Sequence, residues 1–263
     1  MDTLLVQLIV LTAVIHIVDT LSYSVRLNSV KSGKFALSLS LFNIFVLLSR
    51  TANMLQAPLI GSLVGLHIAR NEDPITEIRW VLLAATAGTL LGILLIPTFL
   101  KIFAAAVNKL EVKGSVPSIV VEALSIHNIK RIVKSTTKPK KNMFSTLRYK
   151  RIPKRLLILN MLITAIYTVG VLSATYSSFF VSPEKQLASA ASSGMINGVA
   201  TILLTLLVDP QSALITDQAL RGKRPYGDVK ALVVMLIASK LVGTILGQAL
   251  IYPAARIIAA FYQ

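Results

Sequence analysis

Arg50 stands inside a stretch that otherwise reads as a plain membrane span, residues 35–66. A charge at bilayer depth costs roughly 2.5 to 3.5 kcal/mol for Arg at a helix centre, so it survives there only by facing protein, water or a polar ligand. Asn43, Arg50, Asn53 and Ala57 recur at i, i+7, i+10 and i+14, which the helical period reads as one stripe, with Gln56 close beside it. The planar fork of Arg donors matches phosphate oxygens. The stripe therefore points to a site for a charged lipid head group, with Asn53 and Gln56 assisting Arg50. The competing reading is a buried ion pair of Arg50 with Asp19 or Asp209 that only ties spans together.

Other ionisable residues at span depth can be read in the same two ways. His16, Asp19, Tyr23 and Arg26 fall at i, i+3, i+7 and i+10, a second single stripe. Arg26 either gathers an anionic lipid or snorkels to the inner head groups. Asp19 serves as counter-ion to Arg26 or Arg50, or takes a proton in a transport cycle. His16 is a satisfied helix contact or a proton relay. Asp209, followed by Pro210, reads as an N-cap with a first-turn proline. Asp217 and Lys240 are candidates for a pair between opposite helices.

Several chemistries are excluded. The chain has no cysteine, so disulfide, thiol-metal and haem-attachment chemistry are closed to it. His16, His67 and His127 have no metal-ligand spacing. There is no GxSxG, P-loop or dinucleotide fingerprint, and no paired acids in the spans that would bind magnesium. We therefore expect no metal or cofactor and no catalytic residue. Few aromatics interleave with the basic residues, which argues against nucleic acid.

The elements that must position these side chains are membrane helices. Of 263 residues 54% are hydrophobic, and mean hydropathy is +0.72; this is a membrane composition. The expected fold is all-α and polytopic, a single transmembrane domain over residues 1–263. Its six spans fall near 4–25, 35–66, 80–106, 156–181, 187–208 and 230–261. The first is read as a retained span, not a cleaved signal peptide. Span two, about 48 Å if one helix, must tilt, kink at Pro58 or split. The basic stretch 107–155 is expected in the cytoplasm, with 116–133 as an amphipathic helix on anionic lipid and 136–146 as exposed loop.

Net charge is +16, and the first, third and fifth links are basic while the second and fourth are near neutral. Positive-inside logic then puts both termini outside the cytoplasm. Gly88/Gly92, Gly243/Gly247 and the small residues of span five offer close-packing faces, within one chain or in a homodimer. The polar pattern does not repeat between halves, which argues against a three-plus-three inverted repeat.

Residues 19–26, DTLSYSVR, and 49–58, SRTANMLQAP, with the later 208–217 stretch, resemble the Amj family of bacterial lipid II flippases, alternates to MurJ. The resemblance extends over nearly the whole chain. It implies a transporter, not an enzyme, in the cytoplasmic membrane. Its cargo would be lipid II, the undecaprenyl-pyrophosphate-linked disaccharide-pentapeptide, moved from inner to outer leaflet for cell-wall synthesis. On this reading spans one, two, four and five line a polar groove, with Arg50, Asn53, Gln56, Arg26, Tyr23 and Asn43 on the cargo. The alternatives are a polyprenyl-pyrophosphate phosphatase or related head-group enzyme, and a membrane scaffold of the cell-wall machinery.

Overall fold

The computed structural model describes residues 3–115 and 149–263. The amphipathic helix and the loop expected at 116–133 and 136–146 lie outside the described residues. The helices are α1 (Thr3–Ser32), α2 (Phe35–Arg70), α3 (Ile75–Lys113), α4 (Lys154–Ser177), α5 (Pro183–Leu203), α6 (Asp209–Leu220) and α7 (Tyr226–Phe261). A π-helical segment, Leu204–Val208, joins α5 to α6, so Pro183–Leu220 forms one spanning unit. Among the described residues six helical units are long and apolar enough to cross a membrane.

Local sequence sets where these helices stop and start. α1 runs into Gly33, and α3 ends at Gly114, both in the left-handed region that glycine adopts freely. α2 ends at Asn71, whose N–H bonds the Ile68 carbonyl while Glu72 N–H bonds that of His67, a left-handed C-terminal cap. Prolines 153, 183 and 225 mark the next starts: α4 follows Pro153, α5 opens on Pro183, and α7 follows Pro225.

The helices exceed the expected spans at most ends, and two expectations change. α2 runs unbroken through Pro58 for 36 residues, about 54 Å at 1.5 Å per residue, so of tilting, kinking and splitting the last is excluded. Asp209 does not begin a separate capped piece: Val208 precedes it in the α region without a side-chain cap, and the helix continues from α5 through the π segment.

Packing follows the same order in both halves. α1 lies at the centre of the first, against α2 and α3; α4 lies at the centre of the second, against α5 and α7. In each half the third spanning helix approaches the first through a glycine pair. A Cβ on Gly92 would lie 2.7 Å from Thr20 Cβ, and one on Gly88 would overlap the Ala13 carbonyl; a Cβ on Gly243 would lie 2.6 Å from the Met161 carbonyl. Small residues let helix backbones meet this closely. A three-plus-three arrangement is thus present in the packing although the polar residues do not repeat, and three helices per half orient the second half opposite to the first.

The interior differs from end to end. Near the links 71–74 and 178–182, Leu8, Ile60, Leu63, Val64, Ile78, Leu82, Leu172 and Ile251 from five helices form one apolar cluster. Tyr176 is fully buried beside it, and its hydroxyl donates to Asp73 at 2.9 Å. Toward the other end the core divides. One cluster holds Val25, Leu41, Phe99, Phe103 and Val107 of α1 to α3; another holds Leu156, Ile163, Ile215, Leu232 and Leu236 of the second half. A smaller cluster, Leu27 with Ala219, Val229, Val233 and Ile237, joins α1 to α6 and α7 across the halves, and beside it lies a cavity.

Candidate functional site: a polar cavity between the halves

The cavity is about 460 Å³. α1 contributes His16, Asp19, Ser22, Tyr23 and Arg26; α2 contributes Phe42, Asn43, Val46, Ser49 and Arg50. α4 gives Thr164, Tyr167 and Thr168, and the α5–α6 unit gives Thr201, Leu204, Thr205 and Asp209. Lys240 of α7 completes the wall. The whole first-span stripe thus faces one space, because residues at i, i+3, i+7 and i+10 share a helix face.

Three cations and two carboxylates line it, Arg26, Arg50 and Lys240 against Asp19 and Asp209. Arg26 Nη2 lies 3.2 Å from Asp209 Oδ1. Lys240 Nζ lies 3.8 Å from Asp19 Oδ2 and 3.4 Å from the His16 carbonyl, to which it donates. Arg50 makes no hydrogen bond or ion pair among the described residues. Its side chain is exposed to the cavity near the middle of α2. Neither Asp19 nor Asp209 pairs with it directly, each being engaged by another cation, although Arg50 stands close enough to Asp209 to act on it through space.

Tyr23 forms the rigid floor. Its hydroxyl donates to Asn160 Oδ1 at 2.9 Å. Asn160, fully buried, donates in turn to the Leu236 carbonyl at 3.0 Å and to Ser239 Oγ at 2.8 Å. One chain of bonds thus ties α1, α4 and α7 beneath the cavity. The Tyr23 ring also lies 5.9 Å from Arg26 Cζ and 6.0 Å from Lys240 Nζ, within reach of cation–π attraction.

Four expected placements differ. Gln56 is buried and its amide donates to Thr12 Oγ1 at 2.7 Å, fastening α2 to α1 outside the cavity. Asn53 also lies off the lining, beside Tyr167, with Oδ1 buried and unpartnered among the described residues. For Gln56 the reason is angular, since at about 100° per residue it stands about 140° from Asn43. Asn53, about 80° away, falls in angle between Val46 and Ser49 on the wall, but lies a turn further along α2 than Arg50, against Tyr167. Asp209 accepts from Arg26 instead of capping a helix. Asp217 pairs with Arg221 one turn on, at 2.9 Å, leaving Lys240 to Asp19, because α7 packs against α1.

Ser22, Ser49 and Tyr167 line the cavity without having been singled out. Ser49 adjoins Arg50, and Tyr167 lies three residues after Thr164, so each falls on a face already marked polar. Among the described residues no group of three or more His, Asp or Glu side chains gathers to hold a metal ion.

Fold and site together define a class: multi-pass membrane proteins that work through a polar chamber within the bundle. Within that class, the chain belongs to the Amj family, "Alternate to MurJ", whose family model matches residues 11–262. It is similar to the lipid II flippase Amj of Bacillus subtilis (strain 168), 38% identical over 248 residues, covering 93% of this chain and 91% of that protein. No solved structure matches it.

Proposed function

We infer that the protein is a lipid II flippase of the cytoplasmic membrane, a transporter and not an enzyme. The observation that carries this reading is Arg50, unpaired among the described residues, in a cavity within a membrane bundle. A diphosphate supplies the anion that Arg50 lacks, and water-poor surroundings strengthen the attraction. Asn43, Ser49, Tyr167, Thr164, Thr168 and Thr201 surround it with donors and acceptors for the adjoining sugar. A cavity of this size suits a diphosphate and one sugar; the remaining head group extends from the cleft and the prenyl tail stays in lipid.

Basic links on the cytoplasmic side, including Lys31, Lys34, Arg221, Lys223 and Arg224, collect anionic lipids at the mouth. Both termini then lie outside the cytoplasm. The inside-negative potential favours outward movement of an anion by about 2.3 kcal/mol per charge per 100 mV, so no coupling ion is required. Asp19 with Lys240 and His16 is the place where a proton would couple if one does. The path lies within one chain. A second copy would use the open glycine face of α5, Gly194 and Gly198, which have no neighbour within 4 Å; the mass of the detergent-solubilised protein reports it.

The test is leaflet exchange in proteoliposomes with the head group varied. Lipid II is expected to move, undecaprenyl pyrophosphate to compete with it, and phosphatidylglycerol to do neither. Release of phosphate from these lipids by the purified protein, without exchange, would instead support a head-group enzyme.

A further inference from the structure

A second cavity, about 210 Å³, lies beside the first. It is lined by Val25, Ser29, Phe35, Ser38, Ala213 and Thr216 among others, residues toward the ends of α1, α2 and α6 that adjoin the basic links. Both cavities share Arg26, Phe42, Asn43 and Asp209 in their walls. The Arg26–Asp209 ion pair thus stands between the two cavities, a smaller antechamber on the basic side and the Arg50 chamber beyond.

The two partners of this pair are held differently. Arg26 rides on α1, which is clamped to α3 by the backbone approach at Gly88 and Gly92 and is tied through Tyr23 to Asn160. Asp209 follows directly on the π segment. Its N–H bonds the Leu204 carbonyl five residues back, and the next residue, Pro210, has no N–H to donate. Hydrogen bonding is thus thinned at this point, and π turns are found mostly where helices have functional deformations. Asp209 is also the more open partner, with a side chain 42% exposed against 15% for Arg26. α6 beyond it is packed on α1, α4 and α7 through Ile215 and Ala219, so the least costly change at the π segment moves Asp209 and the first turn of α6 while Arg26 stays.

We propose that Asp209 is a built-in competitor of the cargo: the lipid diphosphate arriving in the antechamber displaces the Asp209 carboxylate from Arg26, the first turn of α6 shifts at the Leu204–Val208 segment, and the head group passes on to Arg50. When the head group leaves, Asp209 returns to Arg26 and the ion pair re-forms. Asp209 is a positioning residue whose charge sets both the selectivity of the opening and the release of the cargo. This inference rests on the reading of the protein as a lipid II flippase.

Its signature is a pair of opposite effects on binding. The protein, in nanodiscs, is titrated with undecaprenyl pyrophosphate, and the same variants are assayed for lipid II exchange. Removing the competitor, Asp209→Asn or Asp209→Ser, is expected to tighten lipid binding by roughly threefold to tenfold, the scale of a part-exposed charge pair, while slowing exchange because cargo is held. Removing the shared cation, Arg26→Gln, is expected to weaken binding and slow exchange. Thermal unfolding in the same nanodiscs shows that each variant is folded, and the serine variant serves if the asparagine one is not. Weakened binding in both Asp209 variants and in Arg26→Gln would mean that the pair only ties α1 to α6, and would overturn the proposal while leaving the transport reading intact. Failure of the wild-type protein to bind the diphosphate lipid at all would overturn both.

Discussion

Where residues 71–74 and 178–182 join the helices, five helices close on a single apolar cluster capped by Tyr176, Phe180 and Tyr252. Where the basic links join them, each half has a core of its own, a smaller apolar cluster of Leu27, Ala219, Val229, Val233 and Ile237 bridges α1 to α6 and α7, and beside it the halves part around two cavities that share one ion pair. The closures differ in kind. Exposing a buried Leu or Ile to water costs roughly 1.5 to 3 kcal/mol apiece, whereas an ion pair with a half-exposed carboxylate holds on the order of 1 kcal/mol or less. Opening beside the ion pair is therefore inexpensive, whereas opening the five-helix cluster is not, and the Leu27 cluster beside the cavities must also part if the halves are to separate there.

The largest expected effect comes from wetting the apolar end. Leu172→Asp puts an unpaired charge at a position 2% exposed and is expected to cost about 3 to 5 kcal/mol, read as a collapse of the unfolding transition in detergent. Wild-type stability would show that this end already admits water. The difference between ends can also be read directly, because the chain has no cysteine of its own. Thr201→Cys is expected to react with a membrane-impermeant thiol reagent many-fold faster than Leu172→Cys, and only from the side bearing the basic links. Equal rates would erase the distinction.

Smaller effects separate packing from path. Gly243→Val places a Cβ against the Met161 carbonyl and Thr164 and is expected to cost about 1 to 3 kcal/mol, loosening α7 from α4 and with it the Asn160 bond network. Gln56→Ala loses only the bond to Thr12, about 1 kcal/mol. It is expected to leave exchange unchanged at saturating lipid; a lost transport rate with stability retained would return Gln56 to the path.

Much of this was legible in the residues. Long apolar runs give the spans, and the spacing of His16, Asp19, Tyr23 and Arg26 puts all four on the cavity wall, as it does Asn43 and Arg50. What failed has definite causes. Gln56 rotates off the face to meet Thr12, while Asn53 shares the angle of the wall but stands past its end along α2, against Tyr167. Lys240 meets Asp19 instead of Asp217 because chain order does not say which helices become neighbours. The π segment has no signature beyond Pro210, and Pro58, Pro97 and Pro253 lie inside helices that continue as α-helix. The likeness of the halves resides in where α3 and α7 carry glycine, not in polar residues, so a search for matching polar stripes misses it.

The central claim is that a cation stands unpaired within the bundle because an anionic lipid passes it there. Its most direct measurement is the rate of lipid II exchange by Arg50→Ala and Arg50→Lys in proteoliposomes, with each variant shown to be folded and inserted. The account predicts that alanine abolishes exchange and that lysine, which keeps the charge but not the fork of donors, restores part of it. Exchange by the alanine variant at the wild-type rate would contradict the account.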